Sequence, residues 1–200
     1  MANRRADRRA DRRDPIAVRR LSEGVAFLAG FALSIPAANW LIGHVGVACV
    51  PHGPCVIPVA PGIMAPSGVL MVGLALVLRD LVQRRLGLAW STAAIFAGAA
   101  LSAVIAPPSL AFASGVAFLL SEFADLAVYT PLQRHRLVLA VFLSGAAGLV
   151  VDSVVFLYLA FGNLDFLLGQ VLGKAWMVLL SLPAIRWLRR RDARLGLAPV

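Results

Sequence analysis

Residues 137–160 read LVLAVFLSGAAGLVVDSVVFLYLA, an apolar stretch of 24 residues interrupted by one acid, Asp152, and preceded by Arg134-His135-Arg136. A helix needs about 20 apolar residues to cross about 30 Å of hydrocarbon, so this stretch alone is long enough to span a bilayer. Five more segments of the same kind are present: 22–42, 63–80, 89–106, 109–130 and 166–188. The chain has 200 residues, of which 60% are hydrophobic and 14% charged. Mean hydropathy is +0.83. Soluble domains carry about 25% charged residues, so a water-soluble fold of this length could not cover so much apolar surface. The segments run apolar without the strict alternation of a transmembrane β-barrel. The expected fold is an all-α integral membrane protein, a bundle of six transmembrane helices. The basic region ahead of the first apolar segment invites a signal-peptide reading, but Asn39 and Trp40 continue a full-length span, so that segment counts as a helix.

The bases give the orientation. Of 19 Lys and Arg, eight lie in Met1 to Arg20. Arg79, Arg84 and Arg85 flank the second link, Arg134 and Arg136 the fourth, and Arg186, Arg189, Arg190, Arg191 and Arg194 end the chain. The links 43–62, Pro107–Pro108 and 162–165 contain none. Cytoplasmic loops are enriched in Lys and Arg, so both termini are expected in the cytoplasm of a cell (inner) membrane. Three parts follow: a disordered Arg-rich tail over 1–21, the six-helix domain over 22–188, and a basic tail over 189–200. The tail repeats an Arg-Arg-Ala-Asp unit, with little to bury and enough charge to rest on anionic lipid headgroups. The net charge of +9 therefore reads as topology and not as nucleic-acid binding. Pro107-Pro108 cannot continue a helix and forces a tight turn between the third and fourth spans.

Two Cys, Cys49 and Cys55, lie in the first extracytoplasmic link, where a disulfide can persist. Two thiols define no framework, and both the bridged and the free state stay open. His44 and His52 are near them, but the spacing matches no standard metal-ligand pattern, and neither a metal nor a cofactor is expected.

Ionisable residues at membrane depth cost about 2.5–3.5 kcal/mol each on the insertion scale and mark candidate sites. Glu122 and Asp125 lie in the fourth span, Asp152 in the fifth, and Lys174, the sole Lys, in the sixth. Gly115, Phe118, Glu122, Asp125 and Tyr129 fall on one helical stripe; so do Gly145, Gly148 and Asp152, and Gln170, Lys174, Met177 and Ser181. Gly169 with Gly173, and Ser144 with Gly148, allow close backbone approach. These stripes predict a polar cavity between helices four, five and six. Solute contacts are expected from Glu122, Asp125, Asp152, Lys174 and Gln170, with Asn39 as a further polar contact and Trp176, Trp40 or Phe118 as a stacking surface. Arg79, Asp80 and Tyr129 are expected to serve structural or gating contacts. Arg79 and Asp80, adjacent on a helix, are expected to pair elsewhere, Arg79 with Glu122 or Asp125. A packing role for an Asp152–Lys174 pair competes with a solute role. Four acids against two bases leave excess acid, which a proton, a cation or a donor-bearing ligand would match.

Ala65-Pro66-Ser67-Gly68, Leu78-Arg79-Asp80-Leu81-Val82-Gln83-Arg84 and Ser121-Glu122-Phe123-Ala124-Asp125-Leu126-Ala127-Val128-Tyr129-Thr130-Pro131-Leu132 together resemble the VUT family. Val151-Asp152-Ser153 and Gly169-Gln170-Val171-Leu172-Gly173-Lys174 extend the resemblance over roughly 22–188. The family is known as queuosine precursor transporters, earlier as vitamin uptake transporters. The resemblance implies uptake of a 7-deazaguanine, such as 7-cyano-7-deazaguanine, and a distant likeness to the substrate-binding subunits of energy-coupling-factor transporters. The Arg-rich tail and the Cys-containing link match no family motif. Two other classes compete with a self-sufficient transporter. A capture subunit would need an ATPase partner, since no G-x-x-x-x-G-K-[ST] occurs in this chain. An intramembrane enzyme would need Ser and His at depth, whereas all three His lie in links. The expected partners are the bilayer and a small deazapurine-like solute; homo-oligomerisation stays open.

Overall fold

The computed structural model describes residues 15–49, 54–106, 108 and 110–200. Residues 1–14, most of the Arg-rich tail, lie outside the described residues, as do His52 and the Pro107 half of the turn.

The described residues form six helices: α1 (Pro15–His44), α2 (Val69–Leu86), α3 (Leu88–Ile105), α4 (Ala111–Leu132), α5 (Leu137–Phe161) and α6 (Leu167–Leu195). Between α1 and α2 lies a three-stranded antiparallel sheet in the order β1 (Ala48–Cys49), β2 (Cys55–Ala60), β3 (Ile63–Pro66). All helices but α2 are long and apolar enough to cross a membrane. The fold is thus a multi-pass helical bundle of the membrane-protein kind, with a small sheet added.

Three expectations change. Residues 15–21 are helical, because α1 starts at Pro15, where the missing N–H is one the first turn leaves unpaired anyway. Likewise, α6 runs to Leu195 through the expected basic tail. The second helix does not begin at 63: Ile63–Pro66 is strand β3, and the helix runs from Val69 to Leu86. Val56, Ile57 and Val59 suit a strand, Gly62 turns the hairpin with φ 73°, and Pro66 ends it.

Helix α2 carries Arg79, Asp80, Arg84 and Arg85 and so fails the test of apolarity that the other five pass. Its position removes the difficulty. It packs against all five other helices, and Ala75–Val77 and Arg79–Arg85 are buried. Protein neighbours, not lipid, surround its charges. Gly73 brings α2 against α6 so closely that a Cβ would stand 2.5 Å from the Lys174 carbonyl oxygen.

The β2–β3 hairpin lies against α1 and α6. A Cβ at Gly169 would meet the Met64 carbonyl oxygen at 2.2 Å, so that glycine admits the hairpin. Trp176 Nε1 donates to the Val59 carbonyl oxygen at 2.8 Å. Trp176 is nine residues into α6, or ~14 Å along its axis, so the hairpin reaches well down the bundle. Strand backbone at such depth is tolerated where protein covers it, and Cys55, Val59 and Ala65 are buried. Cys49 and Cys55 face each other across β1 and β2 and are joined by a disulfide.

Candidate functional site

A cavity of about 120 Å³ opens inside the bundle, several times the ~10–15 Å³ that a single water needs. It is lined from α1 by Ser34, Ile35 and Asn39, from the β3–α2 junction by Pro66, Gly68 and Val72, and from α3 by Ser102. From α4 come Ser114, Phe118, Ser121 and Glu122; α5 and α6 add Asp152, Phe156, Gln170 and Lys174. The expected wall of helices four, five and six is therefore only half of it. The serines of α1, α3 and α4 were not singled out from the sequence, because a Ser in an apolar helix gives no signal of facing a cavity.

Lys174 is 1% exposed, and its ammonium donates to Asp152 Oδ2 at 2.5 Å, Gln170 Oε1 at 2.7 Å and Ser153 Oγ at 2.8 Å. Three acceptors for three N–H groups leave no hydrogen unmatched. Helical spacing of four puts Gln170 beside Lys174, and consecutive Asp152 and Ser153 meet the same group from α5. The result is a fixed polar wall with Asp152 and Gln170 at the cavity.

Glu122 stands on another part of the wall. Its Oε2 accepts from Arg79 Nε at 2.8 Å. Arg79 is fully buried; its Nη2 also reaches Asp125 Oδ1, and its Nη1 lies 3.0 Å from Asp80 Oδ1. One guanidinium thus serves three carboxylates. Arg79 does pair elsewhere, with Glu122 and Asp125, but the expectation that it does not meet Asp80 is corrected: the long Arg side chain reaches its own neighbour within α2, even though adjacent Cβ atoms diverge. Asp80 does find a second partner, accepting from Ser144 Oγ at 3.0 Å, so the Ser144 seam carries a hydrogen bond as well as a close approach.

The remaining expected site residues separate. Asn39 lines the cavity, with Nδ2 donating to the Ile35 carbonyl oxygen at 3.0 Å. Asp125 and Tyr129 share the α4 stripe but lie away from the cavity, in the Arg79 cluster. Trp176, expected as a stacking surface, is 49% exposed on the outer face of α6, apart from the residues that line this cavity, and its indole caps the hairpin. Two residues from Lys174 on a helix is about 200° around the axis, so the two cannot share a face.

Below the Arg79 cluster, a second ion network closes the basic end of the bundle. Arg85 donates to both oxygens of Asp192, at 3.0 and 2.7 Å, and through Nε to Glu23 at 2.8 Å. Arg84 also reaches Asp192 at 3.0 Å, and Arg191 reaches Glu23 at 2.6 Å. These contacts tie α1, α2 and α6 together. Sequence reading treated the arginines as topology signals; Glu23 and Asp192, acids set among them, were the signal that they had partners.

Residues 100–188 match the model of the family described as "putative vitamin uptake transporter". The matched span includes Glu122, Asp125, Asp152, Gln170 and Lys174. No curated protein and no solved structure matches the chain.

Proposed function

We propose, from the vitamin-uptake-transporter match of residues 100–188, that the protein carries a small ring solute across the membrane, and that the solute is a queuosine precursor of the 7-deazaguanine class. The observation that carries this reading is the cavity wall, where a Glu122 carboxylate held by Arg79 accompanies the Gln170–Lys174–Asp152 group. A guanine-like edge offers an N–H beside an exocyclic NH₂, which a carboxylate oxygen fixed on one side can accept. Phe118, one of the stacking residues expected from the sequence, and Phe156 are both on the wall and offer stacking surfaces for the ring. The basic end of the bundle faces the cytoplasm of the inner membrane in this reading, as the distribution of Arg implies.

Calorimetry on the purified protein with 7-cyano-7-deazaguanine tests the proposal. Binding is expected in the wild type. Glu122→Gln, which replaces an acceptor by a donor opposite a ligand donor, should weaken it by about 2–3 kcal/mol. Folding should survive, since an amide is cheaper to bury than a carboxylate. Unchanged affinity in a folded Glu122→Gln protein would remove Glu122 from the solute site. Uptake by the chain reconstituted alone separates a self-sufficient transporter from a capture subunit that needs an ATPase.

A further inference from the structure

The Arg79 cluster contains more negative charge than its position allows. Asp80, Glu122 and Asp125 surround one guanidinium, three negative charges against one positive. Lys174 offers no relief, because it is engaged with Asp152. Gln83 on α2, Tyr129 on α4 and Ser144 on α5 face the cluster as neutral groups, while Asp152 on α5 adds its negative charge on the Glu122 side. Arg84, the next cation on α2, is bound to Asp192. No charge from α1, α3 or α6 joins the cluster among the described residues.

Three buried oxygens lack a hydrogen-bonding partner there: Asp80 Oδ1, Asp125 Oδ2 and the Tyr129 hydroxyl. Asp80 Oδ1 lies near Arg79 Nη1 but receives no aligned hydrogen from it. Asp80 and Asp125 sit on the two terminal nitrogens, Nη1 and Nη2, of the same guanidinium, and the Tyr129 ring lies 6.0 Å from the Arg79 guanidinium carbon. Gly148 of α5 leaves the room, since a Cβ there would stand 3.1 Å from Asp125 Cβ and 3.3 Å from its Oδ2. Three carboxylates against one guanidinium in a dry site do not all stay ionised, and a hydrogen held between Asp80 and Asp125 is the donor that their orphaned oxygens lack. A metal ion fits badly: it would need about six oxygens and would sit against Arg79.

We propose that Asp80 and Asp125 hold one proton between them, making this carboxyl pair the proton-binding site of the protein. The step is proton transfer alone: hydronium from the aqueous phase protonates one carboxylate and leaves as water. The pair neutralises one of the two excess charges around Arg79. The other stays on Glu122, the one carboxylate of the three that lines the cavity. A solute that donates to Glu122 and a proton on the pair relieve the same excess charge around one guanidinium, so each opposes the other. The coupling to uptake rests on the transport reading above; proton occupancy does not.

Infrared difference spectroscopy on the full chain in lipid vesicles, titrated from alkaline to mildly acidic pH without solute, reads the proton directly. A protonated-carboxyl C=O band should be present at neutral pH, shift in D₂O, and vanish in both Asp80→Asn and Asp125→Asn while surviving in Glu122→Gln. Ser144→Ala removes a hydrogen bond to the ionised Asp80, so its band should persist to higher pH than in the wild type; this variant gives a readout even if the Asp changes prevent folding. A wild-type spectrum with no such band, a band retained in both Asp variants, or an unmoved midpoint in Ser144→Ala overturns the proposal. In the same vesicles, acid outside should slow uptake of 7-cyano-7-deazaguanine, and Ser144→Ala should move the half-maximal pH upward with the band. A band that behaves as expected with no uptake of this solute overturns the transport reading and leaves the proton site standing.

Discussion

At the scale of single residues, the interior depends on two cations that each hold more than one partner. Lys174 binds three acceptors from two helices, and Asp152 is its only charged one. Removing either member leaves the other charge buried without compensation, which costs about 3–5 kcal/mol. Asp152→Asn and Lys174→Met should therefore each lower the thermal midpoint sharply. The double variant should recover most of the loss, since a neutral pair needs no counter-charge. Transport should stay abolished in all three; a double variant that transports normally would make the pair a packing device only. The pairing of these two residues was legible from their similar depth and the absence of any other Lys. A pairing of Arg79 with Glu122 or Asp125 was legible too; that it holds both at once, with Asp80 as well, was not, because it depends on how the α2 side chain crosses to α4.

At the scale of elements, α2 and the β2–β3 hairpin are where one-dimensional reading misplaces boundaries. Residues 63–80 are apolar enough to look like one span, yet the hairpin takes the first four, and the helix extends past its charges to Leu86. Close glycine contacts make this arrangement possible, and they are testable one at a time. Gly169→Ala places a methyl group into the Met64 carbonyl. It should destabilise the fold by about 1–3 kcal/mol, the usual range for overpacking. Gly43→Ala in α1 meets nothing within 4 Å and should be neutral or stabilising by up to about 1 kcal/mol, from helix propensity alone. Thermal melting of the two variants in one detergent makes the comparison; equal midpoints would mean that α6 does not need to approach the hairpin.

At the scale of the whole molecule, the basic end and the sheet end of the bundle differ in both charge and construction. The basic end is tied by Glu23 and Asp192 to arginines of α2 and α6. The opposite end is covered by the sheet and its disulfide. Orientation in the membrane should follow the charges. Reporter fusions after Arg136 and Val200 are expected to read cytoplasmic, and one after Gly162 extracytoplasmic. A cytoplasmic signal at Gly162 would break the six-crossing arrangement, most directly by showing that α2, the least apolar helix, does not span.

The membrane class, the number of helices, the polar stripe of α4 and the residues of the Lys174 wall follow from the sequence, because hydrocarbon imposes a length and a price in free energy on every charge that can be read residue by residue. The tertiary structure alone decided the hairpin inside the bundle, the outward turn of Trp176, the contribution of α1 and α3 to the cavity and the crowding of three carboxylates around Arg79. Each of these is set by which helix faces come together. Hydropathy reports whether a residue can be buried, and only packing selects the neighbours it is buried against.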